Sequence, residues 1–173
     1  MIGFRHADRR FAPLWESPSQ PAARWHADRD GPAHYFADTP DGAWAEFLRH
    51  EEIVDPDDLV GIDRAMWAMV LPDLPYATPL LTTTEMTGNY RSYPACQAEA
   101  ARLRAGGAER LRAPSAALVM GGAGGWCVEG GLHPGPARDG VVHVLFGAQP
   151  TVVGWRAADG RPSADLLPHV RHL

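Results

Sequence analysis

The sequence predicts an α+β domain of short strands with two or three helices, and three observations carry that prediction. Eighteen glycines and 16 prolines among 173 residues interrupt the chain too often for a long helical bundle. Two segments carry helical start and stop signals. Several short β-branched or aromatic runs lie between turn residues, the pattern of strands. The length makes one domain, spanning residues 1–173, the default. Hydrophobic residues at 45% against 21% charged allow a buried core rather than broad disorder.

The elements follow in order. Pro13, Pro18, Pro21 and Pro32 punctuate the first thirty or so residues, so short extended pieces and loops are expected there. Ala33–Ala37 alternates as a strand, with Tyr35 on one face and His34 and Phe36 on the other. Thr39-Pro40-Asp41 supplies an N-cap hydroxyl, a first-turn proline and an acid at the positive helix end. The helix it opens should bury Ala43, Trp44, Phe47 and Leu48 and stop near Glu52, before Asp55-Pro56. Residues 64–71 are ambiguous by period; closed by Pro72 and Pro75, they are assigned to a strand.

A second helix is expected from Tyr93 to Ala105, stopped by Gly106-Gly107. The run Ala116–Met120 follows Pro114-Ser115 and leads into Gly121-Gly122-Ala123-Gly124-Gly125, a turn between strands. Val141–Phe146 and Thr151–Trp155 are the clearest strands. They are expected to pair as a hairpin through Gly147-Ala148-Gln149-Pro150.

Composition narrows the function. All 16 positive residues are Arg, and 21 acids bring the net charge to −5, which counts against binding a nucleic-acid polymer. Arg still suits a small anion such as a nucleotide, through forked contacts to phosphate or carboxylate. Without Lys there is no P-loop, and Gly122-x-Gly124 is followed by Cys127 where a dinucleotide fingerprint needs Gly or Ala. Cys96 and Cys127 lack zinc-site spacing, the eight His are scattered, and no Gly-x-Ser-x-Gly elbow occurs, so no metal site or hydrolase triad is expected. No apolar run approaches the ~20 residues that cross a bilayer, and the start shows no secretory h-region, so a cytoplasmic protein is expected.

Arg5, Arg24, Tyr35 and Glu46 fall on different predicted elements. Singly, each has an ordinary reading: surface charges, a strand aromatic, and a helix acid paired with His50 at i+4. Their context changes that. The succession Phe4-Arg5, Ala23-Arg24-Trp25, His34-Tyr35-Phe36-Ala37-Asp38-Thr39-Pro40 and Ala43-Trp44-Ala45-Glu46 resembles the start of the RES domain. Ala98–Gly107 resembles that family's later helix, and Arg112-Ala113-Pro114-Ser115-Ala116 its serine segment. The resemblance runs over roughly residues 4 to 146. Pro21-Ala22-Ala23 stands where the family usually has glycines, and His26-Ala27 where it has Asn-Pro.

The resemblance implies a fold related to ADP-ribosyltransferases and an enzyme that cleaves the nicotinamide–ribose bond of NAD, its substrate rather than a cofactor. Glu46 would stabilise the ribosyl cation, Tyr35 would stack on the nicotinamide or ribose, and Arg5 and Arg24 would clamp pyrophosphate or an attacking phosphate. Ser115 would donate to a phosphate or position the nucleophile. The acceptor stays open between water, inorganic phosphate as co-substrate, and a macromolecule. A non-catalytic RES-like binding module is the alternative of a different class. The family further implies the toxin of a toxin–antitoxin pair with an Xre-like antitoxin as protein partner, in a hetero-oligomer, with a homo-oligomer also open. An apolar surface near the pocket mouth is then expected, with Trp25 and Trp44 as its candidates; the ordinary alternative is that both sit in the core. The glycine-rich 121–140 stretch receives no role.

Overall fold

A computed structural model of the chain describes residues 1–16, 20–28 and 30–173; the loop position of Pro18 lies outside them. Six strands form an antiparallel sheet: β1 Ile2–Asp8, β2 Ala33–Ala37, β3 Arg64–Val70, β4 Arg110–Pro114, β7 Val141–Phe146 and β8 Val153–Gly160, in the order β4-β7-β2-β1-β3-β8. Between β4 and β7, β5 Trp126–Val128 and β6 Leu132–Pro134 make a separate small hairpin. The helices are α1 Pro40–His50, α2 Thr83–Thr87 and α3 Tyr93–Ala105. The fold class is therefore the expected α+β.

Local chemistry accounts for the helices. Thr39 Oγ1 accepts from the Gly42 N–H at 2.9 Å, Pro40 follows it, and α1 buries Ala43, Ala45, Phe47 and Leu48. Its end turns through Glu52 at φ 55°, with the Ile53 N–H donating to the Leu48 carbonyl at 2.9 Å. α3 has its predicted bounds and stops at Gly106. The short α2 was not expected; Thr82 and Glu85 form a reciprocal capping box that starts it.

The predicted hairpin of β7 and β8 does not form. β7 is buried along nearly its whole length, and its two edges are already taken by β2 and β4. β8 instead crosses to the far side of the sheet, pairs with β3 and remains exposed at the edge. Gly147, at φ 76°, turns the chain away from β7, with its N–H donating to the Pro32 carbonyl at 2.8 Å.

One feature of the sheet creates the site. β1 pairs with β3 through seven register positions, but with β2 through one, Phe4 opposite Ala37. The half-sheets β4-β7-β2 and β1-β3-β8 part from that point. The long β1–β2 connection carries Arg24 and Trp25. Trp25 is 1% exposed and belongs to a core with Cys96, Ala100, Leu111 and Val144. That corrects its assignment to an exposed surface. Trp44 is half-buried and stacks on His6 at 6.1 Å between ring centroids, so it is not an open patch either. Among the described residues, no helix is long and apolar enough to cross a membrane.

Candidate functional site

A cavity of about 440 Å³ occupies the parting of the two half-sheets, and Arg5, Arg24, Tyr35 and Glu46 all line it. The fifth predicted residue, Ser115, stands behind Glu46 and reaches it directly. The structure thus brings together all five positions, which come from five separate parts of the chain.

Glu46 projects from α1, and burial pushes its carboxyl upward. Ser115 opposes that rise by donating its hydroxyl proton to Glu46 Oε1 at 3.1 Å, and the positive charges of Arg49 and Arg24 act in the same direction. Ser115 Oγ also accepts from the N–H groups of Ala117 and Leu118, both at 3.2 Å. Its single proton is committed to Glu46, so Ser115 orients the carboxylate and is not poised as a nucleophile. The glycine-rich stretch supports this turn. The Ser115 N–H donates to the Gly140 carbonyl at 2.8 Å, and a Cβ on Gly140 would lie 3.1 Å from that of Ser115.

Arg24 sits on a tight turn closed by the Ala23–His26 bridge, which Gln97 of α3 grips through the Ala23 carbonyl at 2.9 Å. Its guanidinium donates to Ser92 Oγ at 2.9 Å and to the Gly88 carbonyl at 2.7 Å, and lies 4.7 Å over the Tyr93 ring. Two of its five N–H donors are used in this way. Arg5 donates to His34 Nδ1 at 3.2 Å, which leaves Nε2–H of His34 to donate to Glu16 Oε1 at 3.2 Å. Burial draws Arg5 down to about 10, so it remains charged at neutral pH.

Tyr35 offers its ring rather than its hydroxyl. The oxygen accepts from the Trp25 N–H at 2.9 Å and lies 3.0 Å from His26 Nδ1. His26 Nε2–H is engaged by the Pro21 carbonyl at 2.9 Å, so Nδ1 is the acceptor and the Tyr35 proton points to it. Burial raises the Tyr35 phenol well above its ordinary range and keeps it neutral.

Sequence reasoning missed Arg49. It is 4% exposed, lines the cavity, and donates to the carbonyls of Ala116, Arg171 (2.9 Å), Gly88 (2.6 Å) and Thr87 (3.4 Å). Arg24 and Arg49 converge on the same Gly88 oxygen. Among the described residues, neither they nor Arg5 has a carboxylate within 4.0 Å. The signal for Arg49 was its place on the buried stripe, with Ala45 and Leu48 at i−4 and i−1.

Guanidinium groups without carboxylate partners and one restrained carboxylate, in a gap between half-sheets, define an anion-receiving cleft on an α+β scaffold. The chain belongs to the RES domain family, which it matches over residues 2–163. In three dimensions it is similar to a chain in the crystal structure of the M. tuberculosis MbcT–MbcA toxin–antitoxin complex. The TM-score is 0.59 at 14% identity, covering 96% of this chain and 86% of that one. No curated protein matches the sequence.

Proposed function

We propose that this protein is the toxin of a toxin–antitoxin pair and acts by cleaving the bond between nicotinamide and ribose in NAD. The observation that carries the reading is the Ser115–Glu46 contact at 3.1 Å in a cavity also lined by Arg5, Arg24 and Tyr35. When the C1′–N bond breaks, its electron pair leaves with nicotinamide, which becomes neutral, and positive charge develops on the ribose. Glu46, aimed by Ser115, stabilises that charge in its ionised form, which the Ser115 hydrogen bond favours against the effect of burial. Tyr35 orients a ring of the substrate with its face. Arg5 holds pyrophosphate oxygens. The acceptor oxygen then bonds C1′ and gives up its proton. The paired positive charges of Arg24 and Arg49 favour inorganic phosphate over water as that acceptor, which would make ADP-ribose 1″-phosphate the product.

The test is incubation of the purified chain with NAD, with and without phosphate, and identification of the products by mass. Glu46→Gln serves as the control and is expected to lose on the order of 10²–10³ in rate with its fold intact. In bacteria, induction of the wild type should deplete NAD and stop growth, and a co-expressed antitoxin should restore both. Equal growth and undiminished NAD in wild-type and Glu46→Gln strains would refute the reading and favour a binding module.

A further inference from the structure

The proposed chemistry leaves an aromatic feature of the cavity lining unexplained. Residues 9–16, directly after β1, form an arm over the cleft. Two successive turns shape it, the Phe11 N–H donating to the Asp8 carbonyl and the Trp15 N–H to the Ala12 carbonyl, both at 3.0 Å. Three anchors hold it. Arg9 pairs with Asp63 at 2.5 Å, Leu14 packs against the core cluster of Phe36, Met69, Leu71 and Leu145, and Glu16 accepts from His34 at 3.2 Å.

Two large aromatics on this arm stay outside every core cluster. Phe11 is 41% and Trp15 52% exposed, yet both line the cavity. Their rings stack at 4.6 Å with 20° between planes, and the Arg10 guanidinium lies 5.6 Å from the Phe11 ring centre. Phe11 therefore has two partners. Among the described residues, no second ring or guanidinium packs on Trp15. An anchored, exposed indole facing a cavity is a platform for another flat ring.

Its position indicates which ring. Glu16, next to Trp15, is separated by the one imidazole of His34 from Arg5, the group assigned to the pyrophosphate. A molecule held at its pyrophosphate by Arg5, with one ring system at Glu46, has its second ring free to reach the arm. We propose that Trp15, backed by Phe11, is a stacking subsite for the purine of the dinucleotide, and that it selects a dinucleotide over a mononucleotide. This inference rests on the NAD reading for its substrate but not for its test.

The experiment compares the full-length wild type with Trp15→Ala and Trp15→Phe in two assays. In the first, KM and kcat are measured for NAD and for nicotinamide mononucleotide, which has the same scissile bond but no purine. Trp15→Ala is expected to raise KM for NAD about tenfold with kcat within twofold, and to leave the mononucleotide unaffected. Trp15→Phe keeps a ring and should recover most of the loss. Equal losses for both substrates, or an unchanged KM for NAD, would overturn the subsite.

In the second assay, calorimetry measures AMP binding, which requires no turnover. If the wild type leaves NAD intact, the proposed function fails while the AMP comparison still decides the arm. AMP binding about tenfold weaker in Trp15→Ala supports the subsite. Equal or absent AMP binding in both proteins overturns it. Loss of protein-partner binding with nucleotide affinity intact would likewise overturn it, in favour of a docking role.

Discussion

Replacing Ser115 by Ala separates orientation of the carboxylate from direct chemistry, because the two roles move different observables. The substitution removes the proton donated to Glu46 at 3.1 Å and the oxygen that accepts from Ala117 and Leu118 at 3.2 Å. A hydrogen bond to a charged group is worth about 1.5–3 kcal/mol. At 1.36 kcal/mol per pKa unit, its loss lets the Glu46 carboxyl rise by about 1–2 units. Burial already pushes this carboxyl up, so removing a restraint moves it further in the same direction. In the proposed reaction ionised Glu46 is the active form, so the acidic limb of the kcat profile should shift to higher pH by that amount and leave the neutral plateau less affected. The two orphaned N–H groups cost about 1–3 kcal/mol each, about 2–6 kcal/mol together, roughly 4–24 °C in Tm for a chain of this size. A pH series of initial NAD cleavage rates, with thermal melts of the same samples, measures both effects. Ser115→Thr keeps the hydroxyl and should retain the wild-type limb. A Ser115→Ala limb that overlays the wild type would refute the orienting role, whatever happens to the rate.

Other expectations concern charge and backbone. Arg24→Lys keeps the charge but cannot span Ser92 and the Gly88 carbonyl as a planar fork, so the KM for inorganic phosphate in NAD cleavage should rise on the order of tenfold or more; an unchanged KM for phosphate in initial-rate measurements would remove Arg24 from the acceptor site. Burial first, then the positive charges of Arg64, Arg5 and His50, draw His6 down to about 3. The unfolded chain takes up a proton near 6.5 while the folded one does not. The stability difference between wild type and His6→Gln should therefore shift against the wild type by about 1.4 kcal/mol for each pH unit below 6.5. Parallel denaturant midpoints from pH 7 to 5 would contradict it. Glu52 holds a left-handed conformation at φ 55°, so Glu52→Gly should gain about 0.5–1 kcal/mol, seen as a Tm rise of about 1–4 °C; a lower Tm would show that the side chain matters more than the backbone.

The helices were legible because their signals are local. The Thr39 cap and first-turn Pro40 open α1, and Gly106 closes α3. β1 was not, for a physical reason. Arg5 and His6 both line the cavity, so the strand carries polar side chains where an ordinary half-buried strand would carry apolar residues, and the alternation is lost. The pairing of β7 and β8 failed because proximity in sequence favours a hairpin, whereas the free edges of the sheet decide the partner. Among site residues, Arg5, Arg24, Tyr35, Glu46 and Ser115 were ordinary one by one and legible only in their order. Arg49 stands in the last turn of α1, where a cation suits the helix dipole whatever its burial, and only tertiary packing shows it buried among carbonyls. Trp25 failed in the opposite sense, since a tryptophan beside a pocket arginine can equally complete the core.

The parting of the sheet explains why side chains, rather than backbone, set the geometry of the cleft. In a continuous sheet, ladder hydrogen bonds fix neighbouring strands about 4.8 Å apart and leave no room for a ligand. Here the ladder between β1 and β2 is reduced to Phe4 and Ala37, and Arg5 spans the widening gap by donating to His34 on β2. Beneath the gap, Arg49 ties α1 to the Ser115 turn through the Ala116 carbonyl and to the end of α2 through the Gly88 carbonyl, where Arg24 also bonds. Arg5, Arg24, Arg49 and Glu46 are therefore also the groups whose bonds join its walls. The same guanidinium groups that leave an uncompensated positive field for an anion have their carbonyl bonds made in advance, so in the proposed reaction little reorganisation would remain as charge develops beside Glu46. That coupling of support and chemistry suits Arg better than Lys, because the five donors of a planar guanidinium can hold a wall in a fixed direction and still face a ligand.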